Sequence, residues 1–333
     1  MTGGGEPNTA ALVRNLTAGN RRALAKAITL LESQRVDQRQ AAAELLVALA
    51  PLAGRSLRIG ISGAPGVGKS TFIETFGQHL LAEGHRVAVL AIDPSSPLSG
   101  GSILGDRVRM ATLSNDERVF IRPSPAGSTL GGTARHTREA IVACEAAGFD
   151  RILVETVGVG QSETLAASMV DCFLILHLPN SGDELQGIKR GILELADLVA
   201  VTKADGALAA DARRAKGQLE RALMLARGQT GRLPAVHVVS GLAGTGVAEL
   251  AQALSTFVDE QQSSGAFIAR RKQQAGAWFR SEIVEQLVQR FAERADLVGL
   301  ADALEAEVEN SVLPARVAAG RIVAELFEDV KKT

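Results

Sequence analysis

The chain has no tyrosine, one tryptophan and ten phenylalanines in 333 residues, so its core must be built mainly from Ala, Leu, Val and Ile. Two cysteines, Cys144 and Cys172, are too few for a disulfide framework. The five histidines, His79, His85, His136, His177 and His237, show no metal-ligand spacing, and no Cys-x-x-Cys or His-rich tract accompanies them. A nickel- or zinc-delivery site is therefore unsupported. A net charge of −1 gives no pull toward nucleic acid or an anionic membrane. The most apolar stretches, AAAELLVALAPLAG (41–54) and DCFLILHLP (171–179), fall short of a bilayer span. The opening MTGGGEPNTAALVRN lacks a basic region followed by an apolar one, so no secretory signal is visible and a reducing cytoplasmic compartment is expected. What is present, 46% hydrophobic and 22% charged residues, fits a globular chain of one large or two modest domains.

Three textures follow one another along the chain. Residues 9–50 read as helical, with Leu12, Leu16, Leu24, Ile28 and Leu31 at near-helical intervals and a second run from Gln38 to Leu49. From Leu57, short apolar runs alternate with helical stretches: 57–62, 86–92, 118–123, 151–156, 172–178, 198–203 and 235–240 are expected strands. Their continuous hydrophobicity marks strands buried on both faces, as in a parallel sheet covered by helices. After Ser263 strand signals stop. Phe279, Ile283, Leu287 and Phe291, with Val284 and Val288 beside them, form a helical apolar stripe, and Pro314 separates a later helix at 321–330. That tail has ten Lys/Arg against eleven Asp/Glu and so no charge bias. The fold expected is α/β, a mostly parallel sheet with helices on both faces at 56–262 between a helical N-terminal extension at 1–55 and a helical C-terminal arm at 263–333. Residues 1–6, 96–102 and 259–265 are linker candidates.

The chemistry begins at GAPGVGKS (63–70), a full match to G-x-x-x-x-G-K-[S/T] between an expected strand and an expected helix. Backbone N–H groups of Gly63, Ala64, Pro65, Gly66, Val67, Gly68, Lys69, Ser70 and Thr71 (Pro65 contributing only its turn) would surround a polyanion at a helix start. Lys69 would reach the β- and γ-phosphates and the Ser70 hydroxyl would ligate Mg²⁺. The bland alternative is a glycine-rich structural turn. TKAD (202–205) lies downstream at a strand end: Asp205 can accept from guanine N1–H and the 2-amino group together, which adenine cannot satisfy, and the Lys203 stem can cover the base. Alone these four residues equally suit a solvated turn; behind a P-loop they point to guanine. Thr202 stands where Asn is usual, a shorter side chain that would loosen the pocket. Ser240, Gly241 and Leu242 fit the loop whose N–H groups meet the guanine oxygen. Asp93 at the end of AVLAID and Asp106 in GGSILGDRVRM are either turn formers or members of a Mg²⁺ shell that positions water. Glu155, ending RILVE, is an acid at a buried strand end, which asks for a cation. In VETVGVGQSE (154–163) it stands where a GTPase has Asp, and Val159 follows Gly158 where a water-orienting Gln is usual. Arg135, His136 and Arg138 read as the solvent face of a helix start, with phosphate or client contact as the alternative.

Taken together, the P-loop, Asp93, ETVGVGQSE, GDELQGIKRGILELAD (182–197) and TKAD resemble the MeaB/ArgK-type GTPases, chaperones associated with methylmalonyl-CoA mutase. The resemblance covers roughly residues 20–330 and implies that the α/β part at 56–262 is a P-loop GTPase (G) domain. It implies GTP/GDP and Mg²⁺ as ligands, Lys69, Asp93, Glu155 and Gly158 as the catalytic set, and Ser70, Asp93, Asp106 and Glu155 around the metal. It places the γ-phosphate sensor at the Gly158 N–H, and with Val159 unable to orient water it implies slow intrinsic hydrolysis that a partner accelerates. It implies mobile loops at 95–109, 158–164 and 180–189, the last relaying state to an adenosylcobalamin-dependent mutase through Asp183 and Lys189, unless it is an ordinary strand-to-helix loop. It also implies homodimerisation through the C-terminal arm, against packing in cis or a client-binding helix. Two other classes compete: a kinase acting on a transport protein, for which no substrate-hydroxyl base is apparent, and a metallochaperone GTPase.

Overall fold

Val, Ile, Leu and Ala dominate seven short runs, and each becomes a strand, mostly buried except in the last, where Val236 alone is buried. The computed structural model describes residues 8–33, 35–92, 110–123, 130–156, 162–179, 190–226 and 233–328. Within it β1 (Leu57–Gly63), β2 (Val87–Ile92), β3 (Val119–Arg122), β4 (Arg151–Thr156), β5 (Cys172–His177), β6 (Leu198–Val201) and β7 (Ala235–Val238) form one sheet. Its order is β3-β2-β4-β1-β5-β6-β7, and every neighbouring pair is parallel. Parallel strands need crossovers and helices on both faces, which explains apolar runs without alternation. All seven strands expected from the sequence are present, most trimmed by a residue or two.

α1 (Thr9–Thr17), α2 (Arg21–Leu31) and α3 (Val36–Leu49) pack on one another and over α6 (Leu130–Ala146), which with α7 (Ser162–Ala167) and α9 (Ala209–Ala226) covers one face of the sheet in a single core. The other is covered by α4 (Lys69–Ala82), α5 (Ala111–Asn115) and α10 (Val247–Ser263), with Phe72 and Phe76 stacked at 5.3 Å. A short α8 (Arg190–Leu195) leads into β6. The N-terminal helical run divides into three helices rather than two. Gly19 at φ +83° ends α1, and the Asn20 side chain caps α2 by accepting from Arg22 N at 2.9 Å and Ala23 N at 3.1 Å. Residues 259–265 are not a linker through most of their length. Phe257 and Val258 keep α10 packed on the sheet to its last turn, and only Ser264 and Gly265 separate it from the next helix.

The chain divides into a unit of residues 1–271 and a second of residues 272–333. α11 (Ala266–Glu293) begins in the first and continues in the second, which also holds α12 (Ala295–Glu309) and α13 (Ala315–Glu328). Leu297, Leu304 and Ala318 are buried between the last two. Pro314 starts α13, where its lack of an N–H costs nothing, and its carbonyl accepts from Val317 N and Ala318 N.

Candidate functional site

The first turn after β1 is shaped by three glycines. A Cβ on Gly63 would stand 2.6 Å from the Leu176 carbonyl of β5, so only hydrogen fits there. Gly66 and Gly68 take φ of +78° and +94°, a region side chains resist. Gly68 is the N-cap of α4 and brings no side chain to it. The N–H groups of Lys69, Ser70 and Thr71 therefore open the helix without an intrahelical acceptor, which makes this a site for an anion. Val67 is fully buried and its N–H donates to Ala64 O at 3.2 Å; Pro65 and Gly66 stay exposed. Lys69 Nζ arches back over the turn, donating to Gly63 O at 2.8 Å and Ala64 O at 3.5 Å. These weak neutral acceptors would give way to phosphate oxygens.

Glu155 ends β4 between Ile61 of β1 and Ala91 of β2 and is only 7% exposed. Burial lowers the Lys69 ammonium below its ordinary range, while the nearby Glu155 and Glu163 carboxylates pull it back up. Glu163, in the first turn of α7, is fully buried. The sequence did not single it out, because an acid at a helix start reads as a solvent-facing dipole partner. Its burial comes from α7 lying against β1, β4 and β5. Thr156 Oγ1 donates to Ser62 Oγ at 2.9 Å, fixing β4 to β1 just beside the site. Hydroxyl and carboxylate oxygens of Ser70 and Glu155 are the hard donors that Mg²⁺ takes. Asp93, Asp106, Gly158, Val159 and Gln161 lie outside the described residues, as do the loops 95–109 and 180–189 with Asp183 and Lys189; of 158–164, Ser162–Thr164 belongs to α7.

Farther along the same edge, the ends of β6 and β7 gather the remaining residues. Thr202 N donates to His177 O at 2.8 Å and Ala204 N to Val239 O at 3.1 Å, which holds Lys203 between them at φ +54°. The Thr202 hydroxyl is buried and donates to Val67 O of the P-loop at 2.8 Å, with His177 O at 3.2 Å, so this residue joins the ends of β5 and β6 to the P-loop. The Ser240 hydroxyl donates to the Asp205 carboxylate and accepts from Ala243 N at 2.9 Å. Gly241 packs on the backbone of Phe72, where a Cβ would be 3.0 Å from its nitrogen, and Leu242 projects into solvent. The P-loop, Lys69, Glu155, Asp205 and the 240–242 loop thus share the C-terminal edge of one sheet, where open α/β sheets bind ligands.

The solvent-facing reading of the α6 start is corrected. His136, Thr133, Thr137 and Glu139 are buried because α2 and α3 pack on α6. Arg135 Nε pairs with Glu139 Oε1 at 3.0 Å, Arg138 Nη2 donates to Ser168 Oγ at 2.9 Å, and burial followed by the Arg135 charge lowers the His136 pKa.

A model of the family described as "Methylmalonyl Co-A mutase-associated GTPase MeaB" matches residues 24–296. A Caulobacter vibrioides protein named as a GTPase is 49% identical over 313 residues, covering 94% of this chain and 96% of that one. The GTPase ArgK of Escherichia coli is 44% identical over 284 residues, with 85% and 86% covered. The mitochondrial methylmalonic aciduria type A homolog of Mus musculus is 45% identical over 319 residues, with 92% and 77% covered. A crystal structure of a LAO/AO transport system kinase superposes with a TM-score of 0.74 at 35% identity, covering 98% of this chain and 99% of that one.

Proposed function

The chain belongs to the family of methylmalonyl-CoA mutase-associated GTPases and hydrolyses GTP, and from that premise we propose that it is a chaperone whose nucleotide state gates adenosylcobalamin loading and protects or reactivates a B12-dependent methylmalonyl-CoA mutase. The observation that carries this reading is the joining of a complete P-loop to the Asp205–Ser240 pair through the Thr202–Val67 hydrogen bond, in a chain that the family matches over 24–296. The phosphates lie on the N–H groups of the turn and the α4 start, and Lys69 leaves the Gly63 carbonyl to meet the β- and γ-oxygens. Asp205 reads N1–H and the 2-amino group of guanine. Ser70 and Glu155, with Asp93 and Asp106, would hold Mg²⁺, which when bound neutralises charge on the transferred phosphoryl group.

Glu155 reaches from a buried strand end, and Val159 brings no amide to orient water, so the intrinsic rate is low and a partner raises it. Gly158 senses the γ-phosphate, and loss of that group changes the loops that the client reads. The helical extension at 1–55 and the G domain at 56–262 work as one body, and the arm at 263–333 joins two copies through its exposed stripe in a cytoplasmic homodimer.

GTP carrying a labelled γ-phosphate, incubated with the chain and purified mutase, tests the assignment. Label leaving as inorganic phosphate supports the chaperone GTPase, whereas label on a protein supports a kinase, the activity in the name of the solved relative. Lys69→Ala should weaken GTP binding about 10- to 100-fold, the worth of a charge-assisted contact of ~1.5–3 kcal/mol. Asp205→Asn should move preference toward xanthosine triphosphate in competition binding.

A further inference from the structure

We propose that Thr75, on α4 and outside every motif, is a specificity-positioning residue: it orients the Gly241–Leu242 peptide so that its N–H faces the 6-oxygen of the purine. This rests on the reading of Asp205 and the 240–242 loop as the guanine end of the site.

The Thr75 hydroxyl has one proton and two acceptors within reach. The carbonyl of Thr71, one turn back in α4, lies at 3.2 Å, and the carbonyl of Gly241, distant by 166 residues in sequence, lies nearer. The nearer bond crosses from the phosphate-binding helix to the loop after β7. It works with the close approach of Gly241 to Phe72 and Thr71, where a Cβ would meet backbone atoms at 3.0–3.2 Å. A glycine at 241 lets the loop sit on the helix, and Thr75 then fixes which way its carbonyl points.

In a trans peptide the C=O and the following N–H point in opposite directions. Holding the Gly241 carbonyl against α4 therefore turns the Leu242 N–H away from α4. The other donors of the loop are spent internally: Ala243 N on Ser240 Oγ at 2.9 Å, Gly244 N on Ser240 O at 2.9 Å, and Ser240 N on Thr245 O at 2.9 Å. Among the described residues no acceptor meets the N–H groups of Gly241 and Leu242. The same turn keeps its Ser240 hydroxyl on the Asp205 carboxylate. The donor for a carbonyl oxygen and the acceptor for neighbouring N–H groups are thus set by adjacent residues, and among the described residues the Thr75 hydroxyl is the side-chain hydrogen bond from the donor side to the helix that carries the phosphate-binding turn. This divides the labour: Asp205 selects the N1 and 2-amino edge, and Thr75 selects the oxygen at position 6.

The test is the ratio of affinities for GDP and for 6-thioguanosine diphosphate, which keeps N1–H and the 2-amino group but offers sulfur, a weak acceptor. In the wild-type chain GDP should bind more tightly than the thio analogue. Thr75→Val should weaken GDP about five- to tenfold, the usual worth of one hydrogen bond, and the analogue less than twofold, so the preference collapses. Thr75→Ser, which keeps the hydroxyl, should restore it. Equal weakening of both nucleotides, or no change in either, overturns the assignment. Should Thr75→Val fold poorly by circular dichroism, Thr75→Ala is read on the same ratio. A wild-type chain that does not prefer GDP over ADP would overturn the guanine reading itself, a different result from a guanine-selective chain indifferent at Thr75.

Discussion

At the scale of residues, the site is a set of short polar links between backbone segments distant in sequence. Thr202 is the clearest, because its hydroxyl meets a buried P-loop carbonyl at 2.8 Å. Thr202→Val keeps the volume and removes the donor, leaving Val67 O unmatched. That should cost ~1–3 kcal/mol of stability in urea titrations and lower GTP affinity with it; unchanged stability would mean that water replaces the link. The P-loop, Asp205 and Ser240 stood out in the sequence because the roles proposed for them need particular residue types at fixed spacing, and the structure brings them to one edge of the sheet. Thr75 and Glu163 were not. A threonine inside a helix and an acid at a helix start have ordinary local uses, and only packing shows that one faces Gly241 and the other is fully buried. The link made by Thr202 was likewise hidden, because side-chain length alone does not show that its hydroxyl reaches the P-loop.

At the scale of elements, the edge of the sheet opposite the P-loop is held by charges. Glu145, near the end of α6, accepts from Gly54 N and Ser56 Oγ at 2.6 Å and from Arg58 at 2.9 and 3.0 Å, tying α6 to the start of β1. Arg271 at the root of α11 forks onto Asp171, before β5, and Arg270 onto Asp197, before β6. Burial pushes the Glu145 carboxyl up, but Arg58, Ser56 and the Gly54 N–H outweigh it and leave it below its ordinary 4.5. The unfolded chain therefore takes up this proton first. The contribution to stability is whole above pH 4.5 and is lost as pH falls through the lower folded value. Glu145→Gln should cost ~3 kcal/mol near pH 7, and the gap from wild type should narrow below pH 4.5. A gap equal at pH 7 and pH 3.5 in denaturant titrations would contradict that origin. The seven strands were readable from apolar runs alone. The burial of His136 was not, because α6 is covered by α2 and α3, a tertiary fact that a local charged pattern does not carry.

At the scale of the whole molecule, the C-terminal helices leave apolar surface uncovered in the single chain. Phe279 is 67% exposed, Val284 60% and Val288 58%, on the stripe that the four-residue spacing predicted. A second copy is the simplest cover for a face that repeats along a helix. Sedimentation should give twice the 34.8 kDa of the chain, and Phe279→Asp with Val284→Asp should give the chain alone with the nucleotide site intact; an unchanged mass would place the contact elsewhere. The helical nature of this arm and the parallel sheet before it were legible from periodicity, while the place where the chain divides was not. α11 runs through it without a composition change, since its first six residues, anchored by Arg270 and Arg271, belong to the first unit and the rest to the second. Among the described residues no helix is long and apolar enough to cross a membrane. A guanine-nucleotide hydrolase built on this edge should answer to a B12-dependent mutase. Single-turnover GTP hydrolysis, measured while purified methylmalonyl-CoA mutase is titrated in, decides whether it does. A slow basal rate should rise and saturate with mutase and be abolished in both regimes by Lys69→Ala; a rate indifferent to mutase at saturating concentration would sever the proposed coupling.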